Sequence, residues 1–148
     1  MAMSSLDPRR WFDRMAPQTL QIATWLLYLN GFFALIDIVD GSGYLRYVRE
    51  EFPGGILIGI AIVAACIGSG WLMANDRKRG YQLAIVAAFA PFIVRYLAYS
   101  HLANKTGATV SFYDKISGGN TISLVFEVAL CALILHPQSR EHQKVWYK

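Results

Sequence analysis

Four long apolar segments, separated by short polar stretches, make up most of the chain. They cover residues 18–39, 54–74, 80–100 and 120–136. A helix rises about 1.5 Å per residue, so about 20 apolar residues cross a hydrocarbon core of about 30 Å. The fourth segment is shorter than this and needs a locally thinner bilayer or polar residues at the interface. The pattern predicts an all-α integral membrane protein, a four-transmembrane-helix bundle that forms a single membrane domain over residues 1–148.

The polar stretches carry their own signals. In residues 5–16 an Asp-Pro pair stands where a helix can begin, and apolar residues face arginines, which predicts a short N-terminal interfacial helix. Aromatic and charged residues mixed over 41–53 predict a helical turn in the headgroup region. The longest connection, 101–119, contains glycines and predicts a loop that lies on the membrane. Residues 137–148 form a basic tail.

Composition supports a membrane environment. Of the 148 residues, 55% are hydrophobic and 16% are charged, and the formal net charge is +4. A soluble domain carries about 25% charged residues, so part of this surface faces a nonaqueous solvent. Basic residues beside anionic lipid headgroups explain the positive charge better than nucleic acid does. We therefore expect membrane lipids as partners, with other membrane subunits or a second copy of the chain, and no nucleic acid.

The distribution of lysine and arginine predicts the orientation of the chain. Nine of them lie in the N-terminus, the turn after residue 74 and the C-terminus. The other two connections hold four: Arg46, Arg49, Lys105 and Lys115. Cytoplasmic loops carry the excess of such residues, so we expect both termini in the cytoplasm. The arrangement looks like that of many small bacterial proteins with four spans and a basic central turn, which suggests the bacterial cytoplasmic membrane.

The second apolar segment is rich in small residues. Gly55 and Gly59 form a GxxxG pair, and Cys66 and Gly70 continue near the same face. Small residues let helix backbones approach closely, and van der Waals packing holds helices together in lipid. These four residues therefore predict a helix-packing face. The partner helix belongs either to the same chain, which we favour, or to another protein.

Three ionisable residues lie inside apolar segments, where a charge is costly and usually has a partner. They are Asp37 and Arg95, toward the outer side, and Glu127, near the midplane, where Asn30 falls at a similar depth. Arg95 is long enough to pair with Asp37, with Glu127, or with both. One interpretation is a buried polar cluster that sets the register of the bundle. The other is a proton or cation site at Glu127, tuned by Arg95.

The sequence predicts no metal site, no cofactor and no catalytic residue. The three histidines, His101, His136 and His142, lie at different depths, so they cannot face each other across one haem, and they lack close zinc-binding companions. Cys66 and Cys131 both fall in apolar segments and are interpreted as small core residues. A phosphate-binding glycine loop and a nucleophile elbow are absent from the sequence. We therefore do not expect an enzyme.

These features favour a small non-catalytic membrane protein that serves as an accessory or assembly subunit of a larger membrane complex. The main alternative is a homo-oligomeric small transporter or channel that uses Glu127 and Arg95 along a polar path. A weaker alternative is a lipid- or quinone-linked enzyme with a site near three residues of the long connection: His101, Tyr113 and Asp114.

Overall fold

The computed structural model describes residues 6–12, 14–41, 43–117 and 121–147. Every regular element in these residues is helical. In chain order the helices are α1 (Gln18–Asp40), α2 (Gly43–Glu51), α3 (Gly55–Ala74), α4 (Lys78–Thr106), α5 (Phe112–Ser117), α6 (Thr121–Leu135) and α7 (Pro137–Trp146). The all-helical prediction is therefore confirmed for the described part of the chain.

Within the described residues, three helices are long and apolar enough to cross a membrane, namely α1, α3 and α4. Helix α6 has only 15 residues. It meets the same criterion together with α7, which follows after a bend of 51°. The helices are thus compatible with a membrane protein that has three spans, or four if the bent pair counts as one.

Helix α4 is longer than the apolar pattern predicts. It continues through Pro91 and past residue 100, the predicted end of the third apolar segment. Residues 101–106 are polar in part but include neither glycine nor proline, so nothing stops the helix there. It ends where Gly107 adopts a φ of 69°, the left-handed conformation that favours glycine. The predicted loop 101–119 is correspondingly shorter, and it also contains α5.

The N-terminal segment is not the interfacial helix predicted for residues 5–16, because its described residues form turns. Side chains from other helices occupy carbonyl oxygens that a helix would use. Tyr28 Oη donates to the Trp11 carbonyl oxygen at 2.7 Å, and Asn75 Nδ2 donates to the Arg10 carbonyl oxygen at 3.1 Å. The prediction is wrong because these long-range hydrogen bonds replace the helical ones.

The core lies where α3 packs against α1 and α4, and where α6 packs against the same two helices. Its most buried large side chains come from all of these elements except α4: Leu20, Leu27, Met73, Leu130 and Ile134. Helix α4 contributes mainly alanines. On the outside, the same helices expose many large apolar side chains. Exposed apolar surface of this extent suits contact with lipid or with other membrane helices.

The predicted packing face of α3 contacts helices of the same chain. A Cβ atom at Gly55 would lie 2.1 Å from the carbonyl oxygen of Val48 in α2. One at Gly70 would lie 2.7 Å from Tyr28 Cε1 in α1. Real Cβ atoms essentially never lie this close to a neighbour, so a side chain at either position would force the Val48 backbone or the Tyr28 ring to move.

The other two residues of that face, Gly59 and Cys66, are also buried. Cys66 Cβ would lie 3.2 Å from a Cβ atom at Gly31, which places it against α1. Gly59 lines a small pocket together with residues of α1 and α2. All four residues thus lie between elements of one chain, so a bulky side chain there disturbs the fold before it disturbs any partner.

Gly55→Ala is expected to destabilise the protein by about 1–3 kcal/mol, the range for overpacking a tight contact. The added methyl group has to displace the backbone carbonyl of Val48, which is held in α2 and cannot rotate away as a side chain can. The measurement is the midpoint of thermal unfolding in detergent, which should fall.

Gly68→Ala in the same helix is the matched control, because a Cβ atom at Gly68 has no neighbour within 4 Å. Its unfolding midpoint should stay unchanged or rise, since alanine favours the helix over glycine. Equal losses in the two variants would contradict the tight contact at Gly55.

Candidate functional site

Arg95 of α4 and Glu127 of α6 form a bidentate ion pair inside the bundle. Arg95 Nη1 donates to Glu127 Oε2 at 3.0 Å, and Arg95 Nη2 donates to Glu127 Oε1 at 2.8 Å. Arg95 is 4% exposed and Glu127 is 7% exposed. Two parallel charge-assisted bonds between planar groups are both strong and geometrically specific. The pair therefore neutralises both charges and keeps them away from lipid.

The spacing of buried residues explains why the two charges meet. From Ala88 onward the buried residues of α4 recur at intervals of three or four, and Arg95 is one of them. In α6 the buried residues are Glu127, Leu130 and Ile134, again three and four apart. Residues with this spacing share one face of a helix. Packing α6 on α4 by these inward faces brings the arginine and the glutamate together.

A third group completes the site. The carbonyl oxygen of Ile116, in the short helix α5, accepts a hydrogen bond from Arg95 Nη1. One guanidinium group therefore links three helices, α4, α5 and α6. The sequence does not predict this contact, because every residue type has a backbone carbonyl group.

Asp37 lies among arginines of α2. It lines a small pocket with Arg46, Arg49 and Gly59. Arg49 Nη1 also donates to the carbonyl oxygen of Ile38 at 3.3 Å, which holds α2 against the end of α1. Two arginines of α2 thus line the same pocket as this carboxylate, which depth along the apolar segments did not predict.

Of the pairings left open for Arg95, the structure describes the one with Glu127. The described hydrogen bonds of this pair do not include Asn30, which is half-buried on α1. Of the four residues of the predicted polar cluster, the described hydrogen bonds join Arg95 and Glu127.

Polar residues at the end of the bundle nearest α7 were also missed. Asn75 follows α3, and its Oδ1 accepts from the backbone nitrogen of Asp7 at 2.8 Å. Next to it, Arg10 Nη1 lies 3.0 Å from Asp76 Oδ2. These contacts fasten the N-terminal segment to the turn between α3 and α4. An asparagine and an aspartate just after a helix are a turn signal, but that signal does not identify the distant partner.

The residues considered for an enzyme site make separate contacts. His101 Nδ1 is 2.9 Å from Tyr47 Oη, which joins α4 to α2. Tyr113 Oη is 2.5 Å from Thr121 Oγ1, and Asp114 accepts a hydrogen bond within its own turn. The first two contacts tie the connections to the bundle, and the third lies within the connection itself.

Among the described residues, no three histidine, cysteine, aspartate or glutamate side chains are grouped to bind one metal ion. Cys66 and Cys131 are both free thiols. Comparison of the chain with protein-family models, with curated proteins and with solved structures finds no match. The interpretation of function therefore depends on the geometry of the Arg95–Glu127 pair and on the surface around it.

Arg95→Leu is expected to destabilise the protein by about 3–5 kcal/mol, the cost of removing one partner of a buried ion pair. Glu127 stays buried in the variant without its partner. The double variant Arg95→Leu/Glu127→Leu should be more stable than Arg95→Leu, because it places an apolar pair in the same space. The measurement is the free energy of unfolding in mixed detergent micelles for Arg95→Leu, for Glu127→Leu and for the double variant.

Lys105→Ala is the control for loss of an ion pair as such. Lys105 Nζ lies 2.6 Å from Glu51 Oε2, but this pair is largely exposed, and exposed pairs add little stability. Its stability should barely change. If the losses of unfolding free energy in the two single variants at Arg95 and Glu127 add up to the loss in the double variant, the buried pair is not coupled.

Proposed function

We propose that the protein is a small, non-catalytic, multi-pass membrane protein that serves as an accessory or assembly subunit of a larger membrane complex. The observation that carries this proposal is that Arg95 and Glu127 form two hydrogen bonds with each other. Both buried charges are used to join α4 and α6, which favours a structural role over a catalytic or transport role. Most of the remaining chain forms helices with apolar outer surfaces.

The surface we propose for a partner subunit is the outer face of α1. Phe32 is 54% exposed there, and Ile36 and Val39 are exposed beside it. Residues spaced by four and three positions lie on one helix face. Large side chains on such a face supply the van der Waals packing that joins helices in lipid. A spanning helix of another subunit fits this surface.

We also propose that both termini face the cytoplasm, in the bacterial cytoplasmic membrane. The uneven distribution of lysine and arginine supports this orientation. The contacts of the structure agree with it, because they bring the basic regions to one end of the bundle. Arg10 pairs with Asp76 in the turn before α4, and Ser139 of α7 donates to Thr19 Oγ1 at 2.9 Å.

The competing hypothesis is a homo-oligomeric transporter or channel that uses Glu127 and Arg95. It requires Glu127 to exchange a proton or cation, and hence to leave its two hydrogen bonds to Arg95. Transport by the reconstituted protein, lost in Glu127→Gln, would favour this hypothesis. Transport that persists in Glu127→Gln would exclude such a role for the carboxylate.

Purification in gentle detergent at native expression level is expected to retain other membrane subunits in fixed stoichiometry. Phe32→Ala should lower the amount retained, because it removes a large side chain from the proposed contact face. The particle mass and the subunit composition are measured together on the same sample.

The matched control is Phe89→Ala, which removes the same side chain from α4, where it is 40% exposed. This variant should retain the partner subunits in full. If the wild-type particle contains only copies of this chain, the accessory proposal fails and the transporter hypothesis gains support.

The orientation predicts which end of the bundle is accessible from outside the cell. A cysteine introduced at Thr109, after α4, should react with a membrane-impermeant maleimide in intact cells. A cysteine at Lys78, which is exposed at the other end of α4, should react only after the membrane is opened. The unsubstituted protein gives the background from Cys66 and Cys131. Labelling of Lys78→Cys in intact cells would show that the orientation is the opposite of the one proposed.

A further inference from the structure

An apolar groove runs between α4 and α5. It has a volume of about 280 Å³ and is lined by Phe92, Ile93, Tyr96, Leu97, Phe112 and Ile116. Its lining residues come from the outer face of α4 and from the side of α5 that covers it. Leu97, on its floor, is 60% exposed, so the groove opens outward, where a spanning helix meets lipid. Its shape and polarity suit a hydrocarbon chain.

A lysine lies at one edge of this groove. Lys115 Nζ is 5.4 Å from the centre of the Tyr96 ring, the distance of a cation–π contact. Among the described residues, no carboxylate forms an ion pair with this ammonium. The nearby carboxylate of Asp114 instead accepts a hydrogen bond from Ser111 Oγ at 2.8 Å. Tyrosine and lysine together are typical of the level at which a span meets the lipid headgroups.

The buried ion pair holds the groove in place. The carbonyl oxygen of Ile116, one of the lining residues, accepts a hydrogen bond from Arg95 Nη1. Since Arg95 is itself held by Glu127, the position of α5 over α4 is set from inside the bundle. A groove with a fixed wall can select a ligand, because little order has to be created when the ligand binds.

We propose that this groove is a binding site for one anionic phospholipid. One acyl chain lies along the apolar lining, and the phosphate group lies against the ammonium of Lys115. A lysine for which the described residues supply no ion-pair partner lies at the edge of this apolar groove, and it complements a molecule that has a negative head and a hydrocarbon tail. The remaining acyl chain faces the bilayer.

The test measures lipid binding to the full-length protein in detergent by native mass spectrometry. The probes are phosphatidylglycerol and phosphatidylcholine with the same acyl chains. Wild type is expected to bind phosphatidylglycerol more tightly. Lys115→Ala should raise its Kd about fivefold, the effect of one lysine near a charged lipid surface. Leu97→Trp, which fills the groove, should lower the occupancy of both lipids.

Each variant has a control near the same end of the bundle. Lys105→Ala removes the same charge from an ammonium that already pairs with Glu51, and it should leave the Kd unchanged. Leu57→Trp places the same bulk on the exposed surface of α3, where Leu57 is 66% exposed, and it should leave the occupancy unchanged.

Two results would overturn the proposal. The first is that Lys115→Ala and Lys105→Ala have equal Kd values and that Leu97→Trp and Leu57→Trp have equal lipid occupancies. This result would show that lipid binding is nonspecific. The other is loss of a dimer mass in Leu97→Trp while lipid occupancy stays constant, which would assign the groove to a second copy of the chain. Unfolding midpoints close to wild type show that the variants are folded.

Discussion

A charge in a medium of low dielectric constant needs a partner, and the Arg95–Glu127 pair meets this requirement inside the chain. Neither residue belongs in an apolar helix by itself, and each is stable there because the other neutralises it. The pair brings α6 to α4, and the further bond from Arg95 to Ile116 brings α5 to the same place. Wrong packings of these helices would leave a charge exposed to lipid, so the pair selects one arrangement as well as stabilising it.

Close packing holds the other helices together, since lipid provides no hydrophobic force to join one apolar helix to another. Helix α3 therefore approaches its neighbours where side chains are smallest. Gly55 lies against the backbone of α2, and Gly70 lies against Tyr28 of α1. At Gly80 a Cβ atom would lie 2.5 Å from Leu72 Cβ, which explains how α4 turns back tightly along α3.

The outer surface has a different chemistry from this interior, and both proposals depend on it. Large apolar side chains cover the outside of the long helices, and polar contacts such as Asn75 with Asp7 and Tyr47 with His101 lie at the two ends. A bundle whose buried ion pair and end contacts lie within the chain offers its outer faces for association. The face of α1 suits a protein helix, whereas the groove beside Lys115 suits a lipid.

The sequence by itself determined the helical class, the approximate limits of the apolar segments, the small-residue face of α3 and the unusual position of Arg95 and Glu127. Each of these follows from residue type and local spacing. Tertiary structure alone decided that Arg95 bonds Glu127 and Ile116, and that Asp37 lies beside arginines of α2. It also decided that the N-terminal segment forms turns instead of a helix, because Tyr28 and Asn75 bind its carbonyl groups. These outcomes depend on which distant groups meet when the helices pack, and local residue patterns carry no information about that meeting.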